Sequence, residues 1–268
     1  MEIKKVGAVH AAQTLNALDT LYFDDGGDEI RIQPLVNVIK IGGQSIMDRG
    51  RAALYPILDE IVANKGKHKM ILGTGGGTRS RHTYSVAMDL GMPTGVIARL
   101  GSLISRQNAK MIHVLLCKHG GIFVLKETFE QIPFMLQAGC IPIIDGMPPY
   151  EIYERPARGG RIPENRTDTG VYLLGEVLGA RSVLYIKDED GLYTDDPKKN
   201  PTAEFIPKIG ARELLRRDLK DLGIERKVLE LLPNARHVRQ VQIINGLKPG
   251  NLTRALDGEH VGTIIHAD

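Results

Sequence analysis

Ser182-Val183-Leu184-Tyr185-Ile186 runs directly into Lys187-Asp188-Glu189-Asp190-Gly191-Leu192-Tyr193-Thr194-Asp195-Asp196-Pro197, and this junction decides how the chain is read. The apolar run has the composition of a strand buried on both faces, as in a parallel sheet. Ligands of open α/β sheets gather beyond the carboxyl ends of such strands. A lysine, several carboxylates, a glycine and a tyrosine are therefore delivered where a nucleotide and its metal ion would sit.

The same strand-then-turn arrangement recurs elsewhere in the chain. Val36 to Ile41 reads as a strand ending in Gly42-Gly43, and Arg51 to Val62 as a helix with Ala53, Leu54, Ile57, Leu58 and Ile61 at helical spacing. Lys69 to Leu72 is a second strand, closed by Gly73-Thr74-Gly75-Gly76-Gly77-Thr78-Arg79. Helices are expected over Arg81–Leu90, Leu103–His119, Phe129–Gln137 and Thr169–Leu178, with a broken helix from Ala211 to about Ala235. Further strands are expected at Ile122–Leu125, Ile141–Ile144, Gln242–Asn245 and Gly262–Ile265. Strands alternating with helices imply an α/β fold, a three-layer α/β/α sandwich with a mainly parallel sheet. Residues 1–33 differ from this pattern and read as an N-terminal arm or a disordered tail, leaving 34–268 as the folded domain.

The glycine turns carry the next layer of chemistry. Lys40 ends the first strand and Gly42-Gly43 follow, so the backbone can approach an anion while the lysine neutralises it. The spacing is not that of a Walker A loop. The second turn has more glycine than a tight turn needs, and Gly75, Gly76 and Gly77 with Arg79 read as an oxyanion nest. Arg81 and His82 extend its positive character, and Arg106, Lys110 and His113 share one helical face that is either solvated or anion-facing. Thr167-Asp168 precedes a helix and either caps it or lets Asp168 orient lysines at phosphates; both readings are open.

Composition removes several classes. With 42% hydrophobic residues, 25% charged and a net charge of +3, the chain is an ordinary globular protein with no nucleic-acid signature. Cys117 and Cys140 show neither metal nor disulfide spacing and read as buried thiols. With no signal peptide and no apolar run of bilayer length, a soluble cytoplasmic protein is expected.

Taken in order, the Lys-Ile-Gly-Gly turn, the triple-glycine loop, Thr-Asp before a helix, Lys187-x-x-Asp190-Gly191-x-Tyr193-x-x-Asp196-Pro197 and the closing Gly258-Glu259-x-x-Gly262-Thr263-Ile264-Ile265 resemble the amino-acid-kinase fold, with bacterial uridylate kinases as the nearest enzymes. The resemblance is closer still to the subunits of molybdenum storage proteins. It is carried by Val38 to Ser45 with Asp48-Arg49-Gly50, Gly73 to Arg79 with Arg81-His82, Gly146 to Tyr150, and Asn245 to Thr263. Within that family it looks like the beta type, because the alpha type carries a histidine cluster where this chain has Glu151-Ile152-Tyr153-Glu154.

The resemblance implies an acceptor or oxyanion half over about 34–165 and a nucleotide half over about 166–268. It implies ATP and Mg²⁺ as cofactors and molybdate or tungstate as cargo, stored as polyoxometalate clusters in a cage built with a related alpha-type subunit as a trimer of heterodimers. ATP hydrolysis would be coupled to loading. Lys40, Asp168 and Lys187 would be the catalytic centre, with Gly42, Gly43, Asp190, Gly191, Tyr193, Asp196 and Pro197 around the nucleotide. Lys126, Glu130, Gln131 and Gln137 would face the stored metal oxide, because the family keeps its cavity there. The alternatives are a uridylate-kinase-like nucleoside monophosphate kinase using ATP, and a catalytically silent scaffold. Against the former, alignment on Leu100-Gly101-Ser102-Leu103 and Asn108 puts Ala98 where uridylate kinases keep an aspartate for the acceptor's ribose.

Overall fold

Val36–Ile41 (β1) is buried at every position and lies in the middle of an eight-stranded sheet. Its neighbours are Lys69–Thr74 (β2) on one side and Ser182–Lys187 (β5) on the other, both parallel to it. The order continues outward through Ile141–Asp145 (β4) to Gly121–Phe123 (β3) on the β2 side. On the β5 side come Gln240–Asn245 (β9), Thr263–His266 (β10) and Lys208–Gly210 (β8). Every pairing is parallel except β9 with β10. Leu192–Tyr193 (β6) and Phe205–Ile206 (β7) form a separate antiparallel ribbon. The computed structural model describes residues 29–157, 160–219 and 222–268. Arg31–Asp268 is one compact unit. The N-terminal arm expected over 1–33 falls almost wholly outside the described residues.

Side-chain parity along the strands divides the core. Val36 and Val38 of β1 and Val183 and Tyr185 of β5 pack in one buried cluster with Val171, Tyr172 and Leu174 of helix Thr167–Leu178 (α5). Helices Ile132–Gln137 (α4), Ala211–Arg217 (α6) and Arg226–Leu231 (α7) join that layer. Ile39 and Ile41 of β1 and Leu184 and Ile186 of β5 face the opposite layer. That layer is built from Arg51–Asn64 (α1), Thr94–Leu116 (α3) and Asn251–Leu256 (α8). Gly77–Asp89 (α2) packs through Tyr84 and Ala87 on Ile97 of α3. Parity therefore places Lys40 and Lys187 on the α5 side of the sheet, at the carboxyl ends of adjacent strands.

Several polar exceptions in the core are satisfied, whereas Ser80 Oγ and Asp145 Oδ1 are buried without a hydrogen-bond partner among the described residues. Asn37 is 1% exposed, yet its amide donates to Lys69 O at 3.3 Å and accepts from Ser182 Oγ at 2.8 Å, tying β2, β1 and β5 together. Remote glutamates satisfy backbone ends: Glu60 accepts from Gly250 N and Thr253 N at 2.7 and 3.0 Å where α8 starts, and Glu176 from Arg236 N and Val238 N at 2.6 and 2.7 Å.

Several boundaries differ from expectation. α2 begins at Gly77, inside the glycine turn, and α3 begins directly after Pro93, nine residues before its apolar periodicity is legible. The broken helix after Ala211 resolves into α6 and α7. β8 and the ribbon are too short to carry a period-2 signal. Cys117 is exposed and Cys140 half-buried, because Cys117 lies in the turn that ends α3 and its Sγ donates to Val114 O at 3.2 Å. No helix among the described residues is long and apolar enough to cross a membrane.

The layer contact makes a prediction. A Cβ on Gly175 of α5 would come within 2.4 Å of Val183 Cγ2, whereas one on Gly66 would meet nothing within 4 Å. Gly175→Ala is expected to destabilise the fold by about 1–3 kcal/mol, and Gly66→Ala to stay within about 0.5 kcal/mol of wild type, measured by urea denaturation.

Candidate functional site

The carboxyl ends of β1, β2 and β5 open onto a cleft of about 830 Å³. From β1 the chain passes to β2 on one side and returns to the other only at β5, so the cleft lies at the switch point of the sheet. The first turn contributes Lys40 and Gly43 to its walls, and the second contributes Gly75, Gly76 and Gly77.

The glycines in these turns are needed first for packing. A Cβ on Gly43 would lie 2.2 Å from Gly77 N and 2.9 Å from Gly75 C, so the two turns touch backbone to backbone. Gly77 has φ +70, and its neighbour Thr78 N–H donates to Asp48 Oδ2 at 2.7 Å. Gly75 N–H donates to Ile41 O at 3.1 Å. One amide of the expected oxyanion nest, Gly75, and the adjacent Thr78 amide thus already have internal acceptors.

The floor of the cleft is a buried charge cluster. Asp168, in the first turn of α5 and 4% exposed, pairs with Lys40 Nζ through Oδ1 and with Lys187 Nζ at 3.4 Å through Oδ2. Burial would raise the Asp168 carboxyl, but the ammonium groups of Lys187 and Lys40 outweigh it and hold the acid far below the usual carboxylate range. For Lys187 the balance goes the other way: burial keeps it below the usual lysine range despite Asp168, and Lys40 adds to the fall. One carboxylate shared by two lysines leaves an excess positive charge at the mouth of two backbone turns. That arrangement suits a polyphosphate.

The acidic loop is arranged differently from its sequence reading. Gly191, Tyr193, Asp196 and Pro197 line the cleft, and Tyr193 meets Phe205 edge to face with ring centroids 5.5 Å apart. Asp196 accepts from Lys198 N at 3.0 Å and pairs with Lys199 Nζ at 2.9 Å. Asp190 does not line the cleft. It is turned toward β9, held by Asn245 Nδ2 at 3.0 Å and Lys248 Nζ at 2.7 Å, and the Lys248 hydrogen bond holds its carboxyl below the usual range. Besides Asp168 and Asp196, the acids that line the cleft are Asp188, Glu189, Asp195 and Glu225, with Asp188 and Glu189 directly after β5. Burial of Asp188 is outweighed by Lys198, which donates at 2.9 Å, and by Arg49, so its carboxyl also lies low. Among the described residues no three His, Cys, Asp or Glu side chains converge as a metal site.

Arg79 also lies outside the cleft walls. Its guanidinium is drawn back along α3 to Gln107 Oε1 at 3.2 Å and to Asn108 Oδ1, and Asn108 Nδ2 donates to Gly75 O at 2.5 Å. Arg79 therefore braces the glycine turn from behind, and Arg49, Arg81, Arg166 and Arg226 carry the guanidinium charge that lines the cleft. Gly42 is likewise structural: a Cβ there would meet Ile186 O at 2.8 Å. Ala98 is wholly buried and presents no polar group to the cleft. The Arg106–His113 face is clamped to neighbouring strands, through Asp145 at 3.3 Å, the Phe123 ring at 4.0 Å under Lys110, and Gly121 O at 3.1 Å from His113 Nδ1.

Lys126, Glu130, Gln131 and Gln137 do not come together as one group. Glu130, Gln131 and Gln137 are exposed along the turn and helix from 126 to 137. Lys126 pairs instead with Glu151, which is 3% exposed and also accepts from Arg99 Nη1 at 2.7 Å and Ser102 Oγ at 2.8 Å. Burial brings Lys126 down to about 8, with Asp145 opposing. Glu151, and Glu225 beside Asp168, have no local sequence signal; Glu225 acts on backbone 57 residues away.

A model of the amino acid kinase family matches residues 36–245. Over 239 residues the chain is 53% identical to the molybdenum storage protein subunit beta of Azotobacter vinelandii strain DJ, covering 89% of this chain and 88% of that protein. It is 28% identical over 243 residues to uridylate kinase of Thermofilum pendens, covering 86% and 97% respectively. The crystal structure of UMP kinase from Bacillus anthracis superposes with a TM-score of 0.67 at 21% identity, over 88% of this chain and 98% of that one.

The Asp168 cluster generates a test. Asp168→Asn leaves two buried lysines without their counter-ion and is expected to cost roughly 3–5 kcal/mol at pH 7. Because the folded carboxyl titrates below its unfolded value, the stabilisation is complete above about pH 4 and is lost below it. Urea denaturation should therefore show the gap between wild type and variant narrowing by up to about 1.4 kcal/mol per pH unit below pH 4. A gap that stays constant there would rule out the charge pairing.

Proposed function

The chain belongs to the amino acid kinase family, and we propose that it is a subunit of a molybdenum storage assembly. In this proposal it binds ATP with Mg²⁺ in the cleft, and molybdate or tungstate gathers as polyoxometalate clusters inside an oligomeric cage. The extended likeness to a storage subunit carries the cargo assignment. The Lys40–Asp168–Lys187 cluster supports the nucleotide. Lys40 and Lys187 would take the phosphate oxygens, with Asp168 paired to both and aiming them. Tyr193, Asp196 and Pro197 would border the nucleoside. Mg²⁺ needs only one or two carboxylates beside phosphate oxygens, and Asp188 and Glu189 line the cleft to supply them. When bound, the ion would neutralise phosphate charge; the residues present fit that role.

ATP hydrolysis would be coupled to loading, the cage would form as a trimer of heterodimers with a related alpha-type subunit, and the assembly would be cytoplasmic. Glu130, Gln131 and Gln137 are exposed and available as cage wall, with the two amides able to donate to oxide oxygens. Lys126 is committed to Glu151 and would contribute only by giving up that partner. Phosphoryl transfer to a nucleoside monophosphate ranks second, because buried Ala98 leaves no carboxylate for the acceptor's ribose.

Elemental analysis of the assembly purified from cells grown with molybdate or tungstate is expected to find many metal atoms per chain. Almost none, together with UMP-dependent ADP release well above background, would establish the kinase instead. Lys40→Ala leaving ATP turnover of the assembly untouched would reduce this chain to a scaffold.

A further inference from the structure

Glu225 reaches the start of α5 from the far end of the cleft. Its carboxylate accepts from the backbone N–H groups of Arg166, Asp168 and Thr169 at 3.2, 3.0 and 3.0 Å, and from Thr169 Oγ1 at 2.8 Å. A helix leaves its first amides without partners inside the helix, and in many α/β proteins a phosphate fills that seat. Here a carboxylate of the chain fills it. In return, Glu225 N–H donates to Asp168 Oδ2 at 3.2 Å, the same oxygen that faces Lys187 at 3.4 Å. Each acid therefore fixes the other's backbone.

Remote glutamate caps recur in this chain, so a merely structural role has to be weighed. Glu60 and Glu176 also gather backbone amides, but neither lines the cleft or touches a residue of its charge cluster. Glu225 does both. The residues before it, Leu222, Gly223 and Ile224, also line the cleft, so a bound nucleotide would press on the segment that carries Glu225.

We propose that Glu225 is a positioning residue: by occupying the anion seat at the start of α5 it sets Asp168 between Lys40 and Lys187, and it steers nucleotide phosphates to the two lysines rather than to the helix start. This rests on the nucleotide-site reading of the cleft and deepens it. Removing the carboxylate frees the α5 amides for an external anion and lets Asp168 swing away from Lys187.

The test is a pair of crystal structures of the full-length assembled protein soaked in inorganic phosphate without nucleotide, wild type and Glu225→Ala. Wild type should hold phosphate at Lys40 and Lys187, with Glu225 on the α5 amides. Glu225→Ala should hold it on the amides of Asp168 and Thr169, with the Asp168 carboxylate turned away from Lys187. Glu225→Asp should restore the wild-type seat. Glu60→Gln supplies the control: it should lower stability and leave phosphate at the two lysines. If Glu225→Ala does not fold, Glu225→Gln, which keeps the shape with one acceptor oxygen, should show the same displacement at lower occupancy. Phosphate at the lysines with Asp168 unmoved in the Glu225 variants, or an equal displacement in Glu60→Gln, would overturn the positioning role. A wild type that binds neither phosphate nor ATP at the lysines would sink the nucleotide reading, and the place of Asp168 in the variants would still decide whether Glu225 sets it.

Discussion

The structure turns on Asp168 holding two lysines beneath the sheet's switch point. An ammonium group is not left buried without a partner, since desolvation would neutralise it or unfold its surroundings. Lys40 and Lys187 arrive on the same side because strand parity sends positions 36, 38 and 40 of β1, and 183, 185 and 187 of β5, toward α5. The helix that receives them carries the carboxylate in its first turn. Sheet register, helix packing and site electrostatics are in this way one constraint. A slip of one residue in either strand would send a lysine into the opposite apolar layer.

Around that centre the chain closes its backbone ends with its own acids. Asp48 takes the first-turn amide of α2, Glu225 takes three amides at the start of α5, and Glu60 serves α8. Helix starts that could bind external anions are thus filled from within, and the free positive charge is concentrated in side chains. The glycine turns fit the same account, since their glycines let two loops touch while amides at Gly75 and Thr78 are satisfied internally. An anion entering this cleft meets lysine and arginine heads before it meets open backbone.

Much of this was legible in the sequence. Buried strands of five or six residues ending in lysine or glycine, separated by helical periodicity, announce the parallel sheet and put Lys40 and Lys187 at strand ends; Asp168 joins them only through the family resemblance. Less legible was anything set by contacts between distant segments. Asp190 and Arg79 look like site residues in the linear motif, but Asn245 with Lys248, and Asn108 with Gln107, draw them outward. Lys126 belongs with Glu151 because a loop folds back on α3. Glu225 has no motif because its partners are chiefly backbone amides, which the sequence does not mark. β8 and the β6–β7 ribbon escape notice because two or three residues cannot show a period.

The most direct measurement is a structure of the assembled protein with a slowly hydrolysed ATP analogue and Mg²⁺. The terminal phosphates should lie within hydrogen-bonding reach of both Lys40 Nζ and Lys187 Nζ, with Asp168 still between the lysines and the adenosine alongside Tyr193. Phosphates seated at the start of α5 in place of Glu225, or a nucleotide bound away from the two lysines, would contradict the account.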